Sequence, residues 1–259
     1  MKWGSKMTLR LRENYKVEFG SVDFKGYLSI NGISNYMQII AGNHASILGF
    51  NYYMNQGEPE YYWILSRVKY VIHEYPKWED EIQMETYPGG CEKLFAVRMF
   101  DLYNKEENPI GYIIGDYILM DTHKKRPARI KGNETLAFLD FPYEGEVLTK
   151  LKAPIGDIRN EALRIEKRKA YYSELDLNGH MNNAHYVRWV ADMFSLEQYE
   201  NYEIAEIEIN YNVSITYGTE VEIFLVQEQE ENQYTVCGNS LDGEVQYFIS
   251  KVKLRKRMG

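Results

Sequence analysis

The sequence of 259 residues carries the same order of elements twice. Each half predicts a strand, a long helix and then about four antiparallel strands. The segment 71–75, a turn and Glu81-Ile82 in the first half match 213–217, a turn and Glu222-Ile223 in the second. Each half has about 110 residues, enough for one hydrophobic core only. A repeat of this kind predicts two similar units in tandem.

The elements of each half define the expected fold class. Helical patterns cover 30–49 and Asn183–Glu200, and alternating apolar patterns surround them. One long helix wrapped by an antiparallel sheet is the hotdog unit, so the sequence predicts an α+β double hotdog with its sheets joined edge to edge. We expect an N-terminal hotdog over 8–125, a polar and basic linker over 126–160, and a C-terminal hotdog over 161–257.

Composition and charge narrow the class of protein. The formal net charge is −8 and 44% of the residues are hydrophobic, which indicates a soluble globular protein and disfavours nucleic acid as its main partner. No run of about 20 apolar residues exists, so we expect no membrane span. Cys91 and Cys237 have neither a disulfide framework nor zinc-ligand spacing. We therefore expect no cofactor, no metal and a reducing cytoplasm as the compartment.

One stretch of the second half combines polar side chains with a turn and a helix start. Residues 176–183 read Asp-Leu-Asn-Gly-His-Met-Asn-Asn, with the turn dipeptide Asn178-Gly179 and a terminal Asn suited to an N-cap. Asp176, Asn178 and His180 are thus gathered at a helix N-terminus, where N–H groups and the helix dipole stabilise an oxyanion. Taken alone, the same residues are equally well explained as caps of a turn and a helix.

Three motifs of this chain resemble those of one protein family, and the resemblance covers nearly the whole chain. Residues 176–183 are similar to the catalytic motif of acyl-acyl-carrier-protein thioesterases, the plant-type fatty acyl chain-release enzymes and their bacterial relatives. Asn43-His44-Ala45 with Gly49-Phe50 resembles the family's first-helix motif, and Tyr75-Pro76-x-Trp78-x-Asp80 its first-sheet turn. The resemblance implies hydrolysis of fatty acyl-acyl carrier protein, with that carrier as a transient partner and the fatty acyl chain as ligand.

The resemblance and the chemistry of the residues suggest a role for each group. Asp176 is expected to orient the site or act as the base, and Asn178 to fix the carbonyl or the water. His180 is expected to activate water or to protonate the thiolate. Backbone N–H groups around Asn182 are the expected oxyanion donors. His185, one helical turn further on, is expected to be packed or exposed and not catalytic.

One departure from the family pattern concerns the strand predicted over Ala205–Tyr217. The family carries a Glu there, and this chain has Ser214, which we expect to position water. Glu208 shares the same strand face by alternation, but six residues along a strand span about 20 Å, too far for a substitute. We therefore assign the base to Asp176 with His180.

The first helix is expected to line the acyl pocket, because the second half supplies the chemistry. The predicted pocket residues are Tyr36, Met37, Ile40, Asn43 and Ile47. The turn motif around Pro76 is expected to be structural. Chain length and saturation of the acyl group stay open, since they depend on pocket depth.

Selectivity and assembly also stay open. The same site would serve an acyl-coenzyme A thioesterase or a hotdog dehydratase, and Ser214 makes a weakly active acyl-thioester-binding protein a further alternative. Because acyl carrier protein and this chain are both acidic, docking requires a local basic surface. The candidates are the basic clusters within 124–131, 164–169 and 251–257. The oligomeric state also stays open, and a homodimer is one possibility.

Overall fold

The computed structural model describes residues 9–50, 61–153 and 158–257 of the chain. They form two compact units. The first contains the described residues up to Val68 together with His73–Leu148, and the second contains Lys69–Ile72 together with those from Thr149 onwards. Within the described part of the chain, no helix is long and apolar enough to cross a membrane.

The first half is dominated by long strands. They are β1 (Leu11–Lys16), β2 (Tyr61–Ile72), β3 (Glu81–Glu92), β4 (Phe95–Asn104), β5 (Pro109–Asp121) and the short β6 (Arg126–Pro127). The sheet order is β1-β3-β4-β5-β2, with β6 added to β5. The pairs β1–β3, β3–β4 and β4–β5 are antiparallel, and Phe100 lies opposite Ile113, both fully buried. The sheet thus presents one apolar face to a core.

The helix of the first unit, α1, spans Ile30–Ile47 and confirms the helix predicted over 30–49. The Ser29 side chain caps it by accepting a hydrogen bond from the N–H of Gly32 at 3.0 Å. Ile33, Met37 and Ile40 follow at helical spacing and are at most 1% exposed. Their burial anchors α1 to the apolar face of the sheet.

The second half repeats this plan with shorter helices. Its strands are β7 (Arg164–Lys169), β8 (Tyr202–Tyr211), β9 (Glu220–Gln227), β10 (Gln233–Asn239) and β11 (Gln246–Lys256), in the antiparallel order β8-β11-β10-β9-β7. Its helices are α2 (Ile158–Glu161), α3 (Asn183–Ala191) and α4 (Leu196–Asn201). On α3, Val187 and Val190 are fully buried, so this helix takes the place of α1.

The prediction of one helix over Asn183–Glu200 is wrong, because the structure divides it into α3 and α4. Ser195 accepts a hydrogen bond from the N–H of Gln198 at 3.2 Å, and the Gln198 side chain accepts one from the N–H of Ser195 at 2.9 Å. This capping box starts a new helix at Leu196. The signal, Ser-x-x-Gln, was present in the sequence.

The region predicted as a linker over 126–160 contributes in part to the first core. Residues up to Leu148 belong to the first unit, and Leu136, Leu139 and Leu148 are at most 5% exposed. Arg67 of β2 donates a hydrogen bond to the carbonyl of Leu148 at 2.7 Å. Residues 154–157 of the predicted linker lie outside the described residues. The predicted domain boundaries as such stay a prediction.

Candidate active site

The loop between Leu175 and Asn182 is held by the carboxylate of Asp176. Oδ1 of Asp176 accepts hydrogen bonds from the N–H groups of Asn178 (2.8 Å) and His180 (3.2 Å). The Asp176 N–H in turn donates to the carbonyl of His180 at 2.7 Å. Gly179 takes a φ of 73°, which glycine adopts without strain. One carboxylate oxygen of Asp176, the predicted base, therefore holds the backbone of the loop. No described residue donates a hydrogen bond to the other oxygen.

Neighbouring elements anchor both ends of this loop. The N–H of Met181 donates to the carbonyl of Ile215 at 2.8 Å, and the N–H of Asn182 donates to the carbonyl of Glu174 at 2.8 Å. Oδ1 of Asn182 accepts from the N–H of Ala184 at 2.9 Å and so caps α3. The N–H of Asn182 is thus engaged and is not an oxyanion donor. Asn183, first in α3, has no intrahelical acceptor for its N–H.

The three predicted catalytic side chains all belong to this one loop. Asp176 is half-buried, whereas Asn178 and His180 are exposed. Among the described residues, none forms a hydrogen bond with the carboxamide of Asn178 or the imidazole of His180. Their polar groups are therefore available to a ligand, beside the N-terminus of α3.

Ser214 lies next to the anchor of the loop rather than within a strand. β8 ends at Tyr211, and the N–H groups of Asn212 and Val213 both donate to the carbonyl of Tyr247, at 2.9 and 3.2 Å. The predicted strand over Ala205–Tyr217 is therefore too long, and the argument that Ser214 and Glu208 share a strand face is wrong. Ser214 is exposed and directly precedes Ile215, the residue that binds Met181.

A buried carboxylate that the sequence analysis missed supports the same loop. Glu174 is 4% exposed, and its side chain accepts hydrogen bonds from Trp189 Nε1 (2.9 Å), the N–H of Tyr171 (3.0 Å) and the guanidinium of Arg188. It ties the start of the loop to α3. No sequence signal marked it, because two of its partners lie 14 and 15 residues away. His185, expected to be packed or exposed, is half-buried, and burial lowers its pKa.

The first half contains a loop of the same construction at Asp23. Oδ1 of Asp23 accepts hydrogen bonds from the N–H groups of Lys25 (2.9 Å) and Tyr27 (3.0 Å). Gly26 has a φ of 81°, and the N–H of Leu28 donates to the carbonyl of Pro76 at 2.7 Å, as Met181 does to Ile215. The turn motif around Pro76 therefore has the structural role expected for it. Lys25 and Tyr27 stand where the second loop has Asn178 and His180.

The residues predicted to line an acyl pocket divide into two groups on α1. Tyr36, Met37 and Ile40 are buried, whereas Asn43 and Ile47 are exposed. Asn43 Nδ2 donates a hydrogen bond to Glu13 at 3.0 Å. A cavity of about 200 Å³ in the first unit adjoins a different stripe of the helix. That stripe consists of Gln38, Ala41, Gly42, Ala45 and Leu48.

The basic clusters differ in how far their charges are neutralised. In the third cluster, Lys253 pairs with Glu206 at 3.5 Å and Arg255 with Glu203 at 2.7 Å. In the second, Arg168 pairs with Asp192 at 2.7 Å. In the first, Arg126, Arg129 and Lys131 are exposed and form no ion pair with a described residue. The first cluster therefore offers the most unpaired charge.

The sequence of this chain is similar to those of known proteins over most of its length. The sequence model of the acyl-ACP thioesterase N-terminal domain matches residues 8–138, and that of the C-terminal domain matches 159–249. The chloroplastic oleoyl-acyl carrier protein thioesterase of Coriandrum sativum is 23% identical over 240 residues, 86% of this chain and 64% of that protein. An Arabidopsis thaliana oleoyl-acyl carrier protein thioesterase is 24% identical over 77% of this chain and 58% of its own. This chain thus spans less than two thirds of these relatives.

Solved structures give the same result. An acyl-ACP thioesterase from Bacteroides thetaiotaomicron superimposes with a TM-score of 0.83 at 26% identity, over 97% of this chain and 100% of that one. The 12:0-ACP thioesterase of Umbellularia californica gives 0.80 at 20% identity, over 96% and 98%. These similarities confirm the predicted fold class, the double hotdog.

Proposed function

This chain belongs to the acyl-ACP thioesterase family, and we propose that it hydrolyses the thioester of fatty acyl-acyl carrier protein. Water adds to the thioester carbonyl, the carbon–sulfur bond breaks, and the products are a free fatty acid and the carrier thiol. In this role the protein would end acyl chain elongation. Its relatives named for oleoyl-acyl carrier protein support this substrate class.

The Asp176 loop is the observation on which the proposal rests. One carboxylate oxygen of Asp176 fixes the backbone of the loop. The side chains of Asn178 and His180 are exposed and form no hydrogen bond with a described residue. We assign the base to Asp176 together with His180, which would take the proton of the attacking water. Asn178 would hold the carbonyl or the water through its N–H₂ group. The N–H of Asn183, at the positive end of α3, would stabilise the oxyanion.

Two further roles remain proposals. Ser214, exposed beside the loop anchor, would position water where the family carries a Glu. The acyl pocket would be shaped by residues of α1, namely Tyr36, Met37, Ile40, Asn43 and Ile47. The first three are buried and so suit contact with an acyl chain inside the unit better than the last two, which are exposed. A cytoplasmic location and a homodimer stay predictions.

Carrier-protein docking is assigned to the first basic cluster. Arg126, Arg129 and Lys131 are exposed cations without a described acidic partner, on a chain whose net charge is −8. Such a patch would attract an acidic carrier locally despite long-range repulsion.

The test is a comparison of purified protein on acyl-acyl carrier protein and acyl-coenzyme A with identical acyl groups, following free fatty acid. We expect a higher kcat/KM for the carrier-protein substrate. A higher value for the coenzyme A substrate would favour the acyl-coenzyme A alternative. Binding of acyl thioesters without turnover would favour the weakly active binding protein that the exposed Ser214 keeps open.

A further inference from the structure

The cavity in the first unit has an arginine in its wall. Small residues of α1, among them Ala41 and Ala45, leave space opposite Pro88, Arg98 and Tyr117 of the sheet. Arg98 on β4 lies opposite Gly115 of β5, and the ring of Tyr117 packs against Gly115. The remaining lining is mostly apolar. At about 200 Å³ the cavity is smaller than the roughly 300–1,000 Å³ of a typical ligand pocket, so it suits a short chain.

Arg98 carries a charge that no described residue neutralises. Arg98 is half-buried, and the only hydrogen-bond partner of its guanidinium among the described residues is Nδ1 of His44, at 3.1 Å. The ring centroid of Tyr117 lies 5.9 Å from its Cζ, which leaves the positive charge without a counter-ion. Burial lowers the pKa of Arg98, but a guanidinium keeps its proton in proteins. A partly buried charge without a counter-ion is costly. The wall of the cavity therefore lacks an anion.

His44 strengthens this conclusion because it also lacks an acceptor. Its side chain is only 1% exposed, and burial with the Arg98 charge lowers its pKa to about 4, so it is neutral near pH 7. Arginine only donates hydrogen bonds, so Nδ1 of His44 accepts and Nε2 carries the proton. That buried Nε2 has no hydrogen-bond partner among the described residues. The guanidinium of Arg98 and Nε2 of His44 are both hydrogen-bond donors. Apart from the bond from Arg98 to Nδ1 of His44, neither has an acceptor among the described residues.

We propose that this cavity binds a short aliphatic chain that ends in a carboxylate, with the carboxylate paired to Arg98. Apolar walls suit the chain, and a guanidinium suits a carboxylate, which accepts two parallel hydrogen bonds. The bound carboxylate would also change the electrostatic environment of the neutral His44, because Arg98 contacts both groups. Two sources share this chemistry. One is a free fatty acid, and the other, which rests on the proposed function, is an acyl group with a second carboxyl at its far end.

Titration calorimetry with octanoate and 1-octanol tests the site without any turnover. We expect the full-length protein to bind octanoate at least about tenfold more tightly than octanol, because hydrogen bonds to charged groups are the strong ones. Arg98→Met should abolish that preference and Arg98→Lys should keep part of it. Lys105→Met, which removes an exposed cation just after β4, should leave it unchanged. Melting temperatures of all variants would establish that each is folded.

A second measurement uses the unchanged protein. Octanoate should shift the imidazole ¹⁵N resonances of His44, assigned with a His44→Gln sample, and leave those of His180 in place. Equal affinities for octanoate and octanol that Arg98→Met does not alter would overturn the proposal. So would an unmoved His44 resonance at saturating octanoate.

Kinetics then separate the two sources. If the ligand is a free fatty acid, octanoate should inhibit hydrolysis by the wild type but not by Arg98→Met. If it is the far end of the acyl group, Arg98→Met should lower kcat/KM for the thioester of octanedioic acid at least about tenfold more than for the octanoyl thioester. Arg98-dependent octanoate binding without hydrolysis of either thioester would sustain the site and refute the proposed function.

Discussion

Asp23 and Asp176 hold equivalent positions in the two halves, since each carboxylate accepts hydrogen bonds from the N–H groups two and four residues further along the chain. The distances are 2.9 and 3.0 Å at Asp23 and 2.8 and 3.2 Å at Asp176. The loop frame is therefore common to both halves. A role of Asp176 beyond this frame can be measured against Asp23.

We expect Asp176→Asn to lower turnover by about 10²-fold or more while leaving the melting temperature nearly unchanged. Asn keeps an oxygen that can accept both loop hydrogen bonds, but it cannot take a proton from water. Asp23→Asn is the matched control and should leave turnover within a few-fold of the wild type. Equal activity losses in the two variants would mean that Asp176 serves only the loop.

The double variant Asn178→Lys, His180→Tyr gives the second loop the residues of the first, Lys25 and Tyr27. Because those side chains already occupy an equivalent frame, we expect normal circular dichroism and a loss of turnover by orders of magnitude. His180→Ala alone should also lose activity. Wild-type rates in the folded double variant would refute the assignment of these two residues.

Glu174→Ala should reduce the free energy of unfolding by about 2–4 kcal/mol, because it leaves Trp189 Nε1 buried without its acceptor and removes the partner of Arg188. Urea unfolding would measure the loss. Glu197→Ala, an exposed change on α4, is the control and should fall within about 0.5 kcal/mol of the wild type. A loss of similar size in both variants would contradict the anchoring role of Glu174.

Reversing the charges of Arg129 and Lys131 to Glu should raise KM for acyl-acyl carrier protein more than for acyl-coenzyme A and leave kcat nearly unchanged. The effect should shrink as salt rises beyond about 0.1 M, where the Debye length is about 10 Å. The same reversal at Lys150 and Lys152, two exposed cations outside the three clusters, is the control. Equal, salt-insensitive effects on both substrates would argue against docking at this cluster.

His44 should make stability fall in mild acid. Its pKa is lowered from the ordinary 6.5 to about 4 in the folded protein, so between these values the unfolded chain binds more protons. The contribution of His44 is complete above about pH 6.5 and is lost as the pH falls towards 4. Urea unfolding at pH 7 and pH 5 should show a smaller difference in His44→Gln than in the wild type. An identical pH dependence in the two proteins would contradict the shift.

Local signals allowed much of the fold to be predicted from the sequence. The Asn178-Gly179 turn and the cap at Asn182 both act within a few residues, and the structure contains each of them. The repeat of strand and helix patterns likewise predicted the double hotdog. One local signal was overlooked, the capping box of Ser195 that divides the second helix.

Features that depend on distant residues could not be predicted in this way. The contact between His44 and Arg98 joins residues 54 apart in sequence, and the bonds of Glu174 to α3 cross a loop. Burial is equally non-local: the pattern of α1 does not reveal that Ile47 is 64% exposed while Ala45 adjoins a cavity. The predicted strand extends through Ser214 because β propensity continues past Tyr211, where the pairing ends.

The hydrogen bonds that Asp176 accepts come from the backbone N–H groups of residues 178 and 180 and do not involve their side chains. We therefore expect that substitutions at these two positions leave the backbone hydrogen bonds of the loop in place. In a chain with two such loops, each loop can therefore present different side chains on the same backbone arrangement. Lys25 and Tyr27 in the first loop, and Asn178 and His180 in the second, are two side-chain pairs that the same loop backbone presents.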